Sequence, residues 1–374
     1  MTLRICVLLC AFALCDGCAK APSPQPASTP TPTPTPAVEN PLNGAMVPPD
    51  APKHRIAAVM IDNYPDARPQ SGLYDADVVY EVEAEGGITR YLALFLGAAP
   101  VVVGPVRSAR TYFVDLARPY DPFFAHAGQN DDVIDVLRDL RNAGFADMDE
   151  IQHTPEAFWR DDSRDMPHNL YTGIARMRKV GPTYGYADKA FSRDRLTFGS
   201  PAPTPDASGS TQNAPGSTPN ASAQPSASSS PKPAPSVTAA MPPVPNVVAS
   251  FWLEYDVDFV WDGAAYQRFI DGQPQHDRDD DRPYEVDDIV AVWIPAKVLD
   301  AIGDLSMNVY GSYPAVLVRD GVPTEGTWSA PGPDITPRLV DDSGDPLVLK
   351  PGHIYIEIMP QGSSLTLGKK NWSH

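Results

Sequence analysis

The chain has 374 residues, which is enough for two domains, and 42% of them are hydrophobic, which is enough for a packed core. Its formal net charge is −18. Nucleic acid is therefore not an expected partner, because phosphate backbones attract basic surfaces. Proline is frequent, with 43 residues, and its excess is concentrated in two segments.

The N-terminus has the pattern of an export signal. A basic start precedes the apolar run Ile5 to Leu14, whose length suits a signal peptide rather than a membrane span. Gly17-Cys18 resembles a lipoprotein cleavage site, so residues 1–17 are predicted to be the signal peptide and Cys18 the residue that carries lipid. The alternative is simple secretion, with Ala11-Phe12-Ala13 as the cleavage site. Lipidation would anchor the protein to the outer face of the cytoplasmic membrane.

All four cysteines lie within the first 18 residues, at positions 6, 10, 15 and 18, and the last of them is the residue predicted to carry lipid. The mature chain is therefore expected to have no disulfide, no cysteine metal site and no cysteine nucleophile. We predict no metal and no cofactor.

Two proline-rich segments divide the rest of the chain. Residues 18–37 form a predicted tether that ends in repeated Thr-Pro, a pattern that favours polyproline II and cannot bury a core. Residues 199–248 are rich in Pro, Ser and Ala with almost no charge, and are predicted to be a disordered linker. A glycosylated stalk is the alternative for this second segment.

Residues 38–198 are predicted to form a mixed N-terminal domain. Strands are expected at Arg55–Ile61, at Val78–Glu83 with one face buried, and at Ile88–Leu96. A helix is expected to start at Ser108 as N-cap and to end before Pro119, and a second helix is expected over Asp131–Ala143.

Residues 249–360 are predicted to form a β-rich C-terminal domain, followed by a tail at 361–374. The expected strands are Ser250–Asp258, Val260–Phe269, Ile289–Pro295, Val309–Val318 and Ile354–Met359. The predicted fold class is therefore α+β or α/β, with a mixed α/β part preceding a β-rich part.

The segment Gly104 to Phe113 is the strongest candidate for a site. It places Arg107 and Arg110 beside Ser108 at the expected start of a helix, where N–H groups and partial positive charge favour an anion. Arg107, Ser108 and Arg110 are therefore predicted to bind a phosphate or carboxylate. The alternative is that both arginines pair internally with Asp62, Glu81, Glu83 or Glu85.

Other polar residues are candidates for the same pocket: Glu85, Arg90, His126, His168 and Asn169. Glu81, Glu83 and Glu85 share one strand face, which is expected to be a solvated row or a row of carboxylates that pairs with the arginines. Each histidine suits a general base or a buried structural role. Asp277 to Asp288 resembles a calcium loop but has Arg282 where glycine is needed, which favours a solvated charge run.

Several short motifs occur in one order along the chain: Ile61-Asp62-Asn63, Ala67 to Gly72, Glu85 to Arg90, Gly104 to Arg110 and Pro167 to Thr172. Together they resemble the YerB-like lipoprotein family, a bacterial domain of unknown function. The resemblance covers Arg55 to Phe198, and more loosely Glu325 to Trp328 and Leu349 to Gly352. It implies a two-part extracytoplasmic lipoprotein and no established chemistry.

These observations favour a membrane-anchored extracytoplasmic protein that binds an anionic envelope ligand, such as a glycan or a polyprenyl-phosphate head group. The first alternative is an envelope hydrolase or transferase that uses Glu85, His126 or His168. The second is an interaction partner of cell-wall synthesis proteins. The common hydrolase and nucleotide-binding motifs are absent from the sequence.

Overall fold

Strands dominate the computed structural model, which describes residues 36–193, 196–199 and 246–374. The predicted signal peptide, Cys18, nearly all of the tether and most of the linker lie outside the described residues. The described part before the linker is mixed, and the part after it is β-rich, as the sequence predicts.

The strands before the linker are β1 Val38–Glu39, β2 Met46–Val47, β3 Ala57–Asp62, β4 Val78–Glu85, β5 Ile88–Phe95, β6 Phe123–His126, β7 Ala146–Asp149, β8 Phe158–Arg160 and β9 Leu170–Thr172. The α-helices are α1 Thr111–Ala117, α2 Asp131–Asn142 and α3 Ile174–Val180. Short 3-10 helices lie at Ala51–Lys53, Pro65–Ala67, Leu73–Asp75, Arg118–Tyr120, Pro155–Ala157, Gly181–Tyr184 and Trp252–Glu254.

The strands after the linker are β10 Val247–Ser250, β11 Asp256–Trp261, β12 Tyr266–Ile270, β13 Gln273–Pro274, β14 Glu285–Val286, β15 Asp288–Ile294, β16 Ala296–Val298, β17 Leu305–Met307, β18 Gly311–Arg319, β19 Val322–Ala330, β20 Arg338–Val340, β21 Ile354–Pro360, β22 Ser364–Leu367 and β23 Lys370–Ser373. All described residues from Pro36 to His374 belong to one compact unit.

Within the described residues, ten strands form one mixed sheet in the order β20-β19-β18-β15-β21-β4-β5-β3-β6-β7. Strands β15, β21 and β4 are parallel, and β3, β6 and β7 are parallel. Because β5 is antiparallel to both β4 and β3, all six strands run in the same direction. The β21–β4 pair joins strands from before and after the linker, so both parts of the chain share this sheet. The mixture of parallel and antiparallel strands differs from a parallel α/β sheet.

A second sheet of seven strands has the order β13-β12-β11-β10-β22-β23, with β14 also paired to β12, within the described residues. Its inward side chains, including Val257, Phe259 and Tyr266, share a buried core with Val79 and Tyr91 of the ten-stranded sheet. Helices α1 and α2 cover a separate core on the other face of the larger sheet, through Phe113, Leu116, Val133 and Leu137.

Several predicted elements are confirmed by this arrangement. The central strands β3 and β5 and the helix α2 lie where the apolar patterns predict them, and Gly144 follows α2 with a φ of 95°. In the C-terminal part, β15, β18 and β21 match three of the predicted strands within one or two residues at each end.

Other predicted elements are wrong in their bounds or their burial. Strand β4 is buried on both faces, because it lies in the middle of the large sheet instead of at a solvated surface. The run predicted as a strand at Ser250–Asp258 reverses at the 3-10 helix Trp252–Glu254, and the run Val260–Phe269 reverses between β11 and β12. Residues 361–374, expected to be a tail, contain β22 and β23.

A buried charge network holds the two sheets together. Arg268 of β12 and Glu81 of β4 are both fully buried and form an ion pair. The Arg268 guanidinium also lies 5.3 Å from the ring centroid of Tyr91 and 5.5 Å from that of Tyr355. Glu357 of β21 is the register partner of Glu81, and burial together with the Glu81 charge raises the pKa of Glu357. The Arg268 guanidinium thus pairs with Glu81, and its charge partly opposes the rise in the pKa of Glu357.

We predict that Arg268→Met destabilises the protein by about 3–5 kcal/mol, because it leaves the Glu81 carboxylate buried without a cation. The matched control is Arg138→Met, since Arg138 is exposed and pairs with Asp135 and Asp139 on the surface of α2. The control should leave the free energy of unfolding almost unchanged, because the ion pairs of Arg138 are exposed to solvent. Chemical denaturation of the three proteins measures both values, and equal losses in the two variants would contradict the prediction.

Candidate functional site

Polar residues gather at one edge of the ten-stranded sheet. Its six co-directional strands all end at this edge, which we call the carboxyl edge. Strand β3 ends at Asp62, β4 at Glu85 and β6 at His126. Ligand sites in α/β sheets commonly lie outside the carboxyl ends of parallel strands, so a ligand site is expected at this edge.

The segment from Val103 to Arg110 crosses this edge in an extended conformation. Its backbone is hydrogen-bonded on one side to β3, through Arg107 N to Met60 O at 3.0 Å, and on the other to residues 170–172, through Val106 N to Leu170 O at 2.7 Å. A side chain on Gly104, with a φ of 150°, would come within 2.8 Å of the Leu170 carbonyl oxygen. Glycine at this position therefore allows the close approach that aligns Arg107 with the end of β3.

The predicted helix start at Ser108 is wrong. Helix α1 begins at Thr111, its N-cap is Arg110, and no side chain caps it. Extended pairing of residues 103–107 delays the helix by two residues, and α1 has only 7 residues. The Ser108 backbone carbonyl accepts a hydrogen bond from Arg90 Nη1 at 3.0 Å, so Ser108 faces a cation here. Ser108 therefore does not lie at the N-terminus of a helix, and its role in anion binding stays a prediction.

Arg110 and Arg90 pair internally with one carboxylate. Arg110 Nη2 donates to Glu85 Oε2 at 2.9 Å, and Arg110 Nε lies 3.5 Å from Asp304 Oδ1. Arg90 Nη2 donates to the other oxygen of Glu85. Burial lowers the pKa of Arg90 to about 10. The positive charges of Arg110 and Arg107 also lower the pKa of Arg90, while the negative charge of Glu85 raises it. This is the internal pairing that the sequence left open as an alternative.

Arg107 and His168 are held by a single carboxylate, that of Asp62. Arg107 Nε lies 3.1 Å from Asp62 Oδ2, and His168 Nδ1 lies 2.7 Å from the same oxygen. The exposed ring of Tyr64 stacks on His168 with centroids 5.1 Å apart. Neither the terminal nitrogens of Arg107 nor His168 Nε2 have a partner among the residues that the structure describes. The Arg107 side chain is 24% exposed, against 10% for Arg110.

His126 and Asn169 lie outside this group. His126 is fully buried, with Nε2 2.6 Å from Asp147 Oδ1 and Nδ1 2.9 Å from the Gly128 carbonyl oxygen. Burial opposes its charge, but the hydrogen bond and charge of Asp147 raise the pKa of His126. Asn169 binds Arg160 through its side chain at 3.0 Å. Both residues therefore serve local structure in these positions.

The predicted solvated row of Glu81, Glu83 and Glu85 is wrong, because Glu81 and Glu83 are buried in β4. The alternative, in which the carboxylates pair with arginines, fits two of the three residues. Glu81 pairs with Arg268, and Glu85 pairs with Arg90 and Arg110. The charged run near Asp277 is likewise partly buried, since Asp277 accepts a hydrogen bond from the Gly72 backbone N–H at 2.7 Å. Among the described residues no group of His, Cys, Asp and Glu has the arrangement of a metal site.

Three members of the site were missed as site residues by sequence reasoning. The sequence could have indicated Asp62, because it follows a buried apolar run within the motif Ile61-Asp62-Asn63. Tyr64 directly follows this motif. Asp304 had none, because it approaches Arg110 from a loop almost 200 residues further along the chain.

A cavity of about 260 Å³ adjoins the loop after Asp62. Its walls combine Pro65, Arg68 and Pro69 with the β12–β13 hairpin, which contributes Ile270, Asp271, Gln273, Pro274, Gln275 and His276. Pro65, which lines the cavity, directly follows Tyr64 in the chain, so the cavity lies next to the stacked Tyr64–His168 pair.

The chain matches a family in both parts. Residues 42–187 match the "Protein of unknown function (DUF3048) N-terminal domain", and residues 247–356 match the corresponding C-terminal domain. The chain is 30% identical over 330 residues, 88% of each sequence, to a Bacillus subtilis (strain 168) protein named "Putative lipoprotein YerB". The crystal structure of YerB from Bacillus subtilis matches with a TM-score of 0.69 and 27% identity, covering 88% of this chain and 99% of that one. The chain therefore belongs to the YerB-like family with DUF3048 domains.

No helix in the described ranges is long and apolar enough to cross a membrane.

The buried carboxyl group of Glu83 makes stability depend on pH. Burial raises the pKa of Glu83 to about 7, against a hydrogen bond from the Trp252 backbone. A raised pKa in the folded state stabilises the protein at low pH, and this contribution is lost as the pH rises through about 7. We predict that Glu83→Gln gains about 1–3 kcal/mol on the parent between pH 5 and pH 8, since one pKa unit corresponds to about 1.4 kcal/mol.

Urea denaturation at several pH values measures this difference. Asp342→Asn, at an exposed turn, is the control and should show the same pH dependence as the parent. A Glu83→Gln curve parallel to the parent over the whole range would show that Glu83 is already ionised in the folded protein.

Proposed function

We propose that this protein is an exported lipoprotein, anchored through Cys18 to the outer face of the cytoplasmic membrane, that binds an anionic envelope ligand at the carboxyl edge. The name of its Bacillus subtilis relative supports the anchor. We also propose that the chain is organised as a tether at 18–37, domains at 38–198 and 249–360, and a linker at 199–248. The ranges matched by the two family domains support this division.

One observation carries the ligand site: Asp62 fixes Arg107 and His168 together, and their outer nitrogens have no partner among the described residues. A guanidinium oriented by a buried carboxylate loses little freedom when it binds an oxyanion, and it offers two parallel donors. Arg110 and Arg90 are already bound to Glu85, so the ligand-binding role falls to Arg107.

The adjoining cavity supports a ligand larger than a free anion. Its walls combine apolar proline and isoleucine surfaces with amide, carboxylate and imidazole groups. A sugar ring next to a phosphate or carboxylate group matches this mixture, because it has apolar C–H faces and hydroxyl groups. An anionic glycan is therefore the form of envelope ligand that we favour. The unpartnered Nε2 of His168 also fits a general base, so the hydrolase or transferase alternative stays a hypothesis.

Arg107→Ala should weaken anion binding by about tenfold to a hundredfold while lowering the melting temperature only slightly, since a charge-assisted hydrogen bond contributes about 1.5–3 kcal/mol. Arg110→Ala is the matched control, and it should lower the melting temperature but keep the anion effect, because Arg110 pairs with Glu85 and Asp304. Thermal-shift titrations with phosphate, pyrophosphate and sulfate against chloride measure both effects. Equal anion responses in the parent and Arg107→Ala would remove Arg107 from the site.

The lipid anchor has a separate test. Cys18→Ala should release the protein from the membrane fraction or leave the signal peptide uncleaved, because Cys18 would be the only residue that carries lipid. Fractionation and mass spectrometry of the N-terminal peptide measure this. Membrane association equal to that of the parent, with no acyl group detected on the parent, would refute the anchor.

A further inference from the structure

A cleft of about 360 Å³ lies at the edge of the ten-stranded sheet opposite the carboxyl edge. Two of its lining residues, Asp121 and Phe145, stand just before β6 and β7, so the cleft is at the amino ends of these strands. Arg118, Lys189 and Arg193 also line it. It is therefore separated from Arg107 and His168 by the length of the strands.

The charges around this cleft favour an anion. Asp121 pairs with the buried Arg55, and Lys189 Nζ lies 2.6 Å from the other oxygen of Asp121. Asp334 is the remaining carboxylate of the lining, and it faces both Arg118 and Arg193. The lining of the cleft therefore contains three cations, Arg118, Lys189 and Arg193, and two carboxylates, in a chain whose net charge is −18. A local cation excess against the overall charge attracts small anions to this point.

Asp334 is held loosely between the two arginines. Its Oδ1 lies 3.4 Å from Arg193 Nη2, and its Oδ2 lies 3.8 Å from Arg118 Nη2. A charge-assisted hydrogen bond is usually about 2.7–2.9 Å long, so both contacts are long. The Asp334 side chain is 64% exposed and lies between β19 and β20. The Asp334 carboxylate thus occupies a position from which a bound oxyanion could contact both guanidinium groups.

Arg118 has unused donors. Its side chain is only 23% exposed, yet its guanidinium makes no hydrogen bond to any residue that the structure describes. Arg193 donates one hydrogen bond to the Arg118 carbonyl oxygen at 2.8 Å, which fixes the two residues relative to each other. The guanidinium of Arg118 can therefore donate to an acceptor that a ligand or water supplies.

We propose that this cleft is a second anion site, in which Arg118 and Arg193 bind a phosphate group and Lys189 adds the third positive charge. Asp334 occupies the phosphate position when the ligand is absent and is displaced when it binds. Leu140, Ala143 and Phe145 form an apolar wall that fits the organic part of a phosphate monoester. The site does not depend on the ligand site at Arg107.

The test uses arginine side-chain NMR on the Arg107→Ala variant of the protein, in which the carboxyl-edge site is disabled. Inorganic phosphate and glycerol phosphate are titrated at constant ionic strength against chloride. The Nε–Hε signals of Arg118 and Arg193 should shift together and saturate. Arg118→Gln should raise the dissociation constant at least about tenfold. Asp334→Asn should lower it about threefold, because it removes the competing carboxylate.

The Asp334→Asn result separates this proposal from a structural ion pair, which predicts weaker or unchanged phosphate binding. Signals that do not saturate with either phosphate, or an Asp334→Asn variant that binds phosphate no more tightly than its parent, would overturn it. Vesicles of phosphatidylglycerol and of phosphatidylcholine distinguish the source of the phosphate: a response to the first alone supports a lipid head group, and a response to the soluble phosphates alone supports a free ligand. If the Arg118→Gln variant does not fold, the dissociation constant of the Asp334→Asn variant decides the test.

Discussion

The buried guanidinium of Arg268 is the contact on which the arrangement of the two sheets depends. It comes from the smaller sheet and pairs with Glu81 of the larger one, within a layer formed by Tyr91, Phe259 and Tyr355. Removing charges from water is expensive, and it is tolerated here because each charge has a partner or an aromatic face. The apolar core supplies most of the stabilisation, but this network selects which faces of the sheets meet.

The same network reaches the candidate site. Asn63 Nδ2 donates to Glu81 Oε1 at 3.2 Å and to Tyr255 Oη at 2.7 Å. Asn63 lies between Asp62, which holds Arg107 and His168, and Tyr64, which stacks on His168. A chain of buried contacts therefore fixes the backbone beneath the accessible side chains. A rigid support of this kind reduces the entropy that a binding site loses when its ligand arrives.

Two anion sites at opposite edges would give one acidic protein two distinct ligand positions. At the carboxyl edge, the three arginines are balanced by Asp62, Glu85 and Asp304, and the terminal nitrogens of Arg107 have no partner within the described residues. At the amino edge, cations exceed carboxylates, and Asp334 is exposed and loosely bound. In this proposal, orientation of the Arg107 guanidinium gives the first site its selectivity, and net positive charge gives the second site its selectivity.

The sequence by itself determined the local features. Apolar runs predicted β3, β5, β15 and β21, helical spacing predicted α2, and ordered motifs predicted the family, because each of these signals lies within a few neighbouring residues. Val78–Glu83 was recognised as a strand, but its burial on both faces was missed, since Glu81 and Glu83 interrupt the apolar pattern.

Only the tertiary structure decided which charges meet. Arg107 and Arg110 are three residues apart and looked equivalent in the sequence, yet one remains accessible and the other is bound to Glu85 and Asp304. The partners Asp304, Arg268 and Asp334 come from far along the chain, and no local pattern encodes such a pairing. It arises because β21 joins β4 and brings the two parts of the chain into one sheet, where burial requires every charge to find a partner.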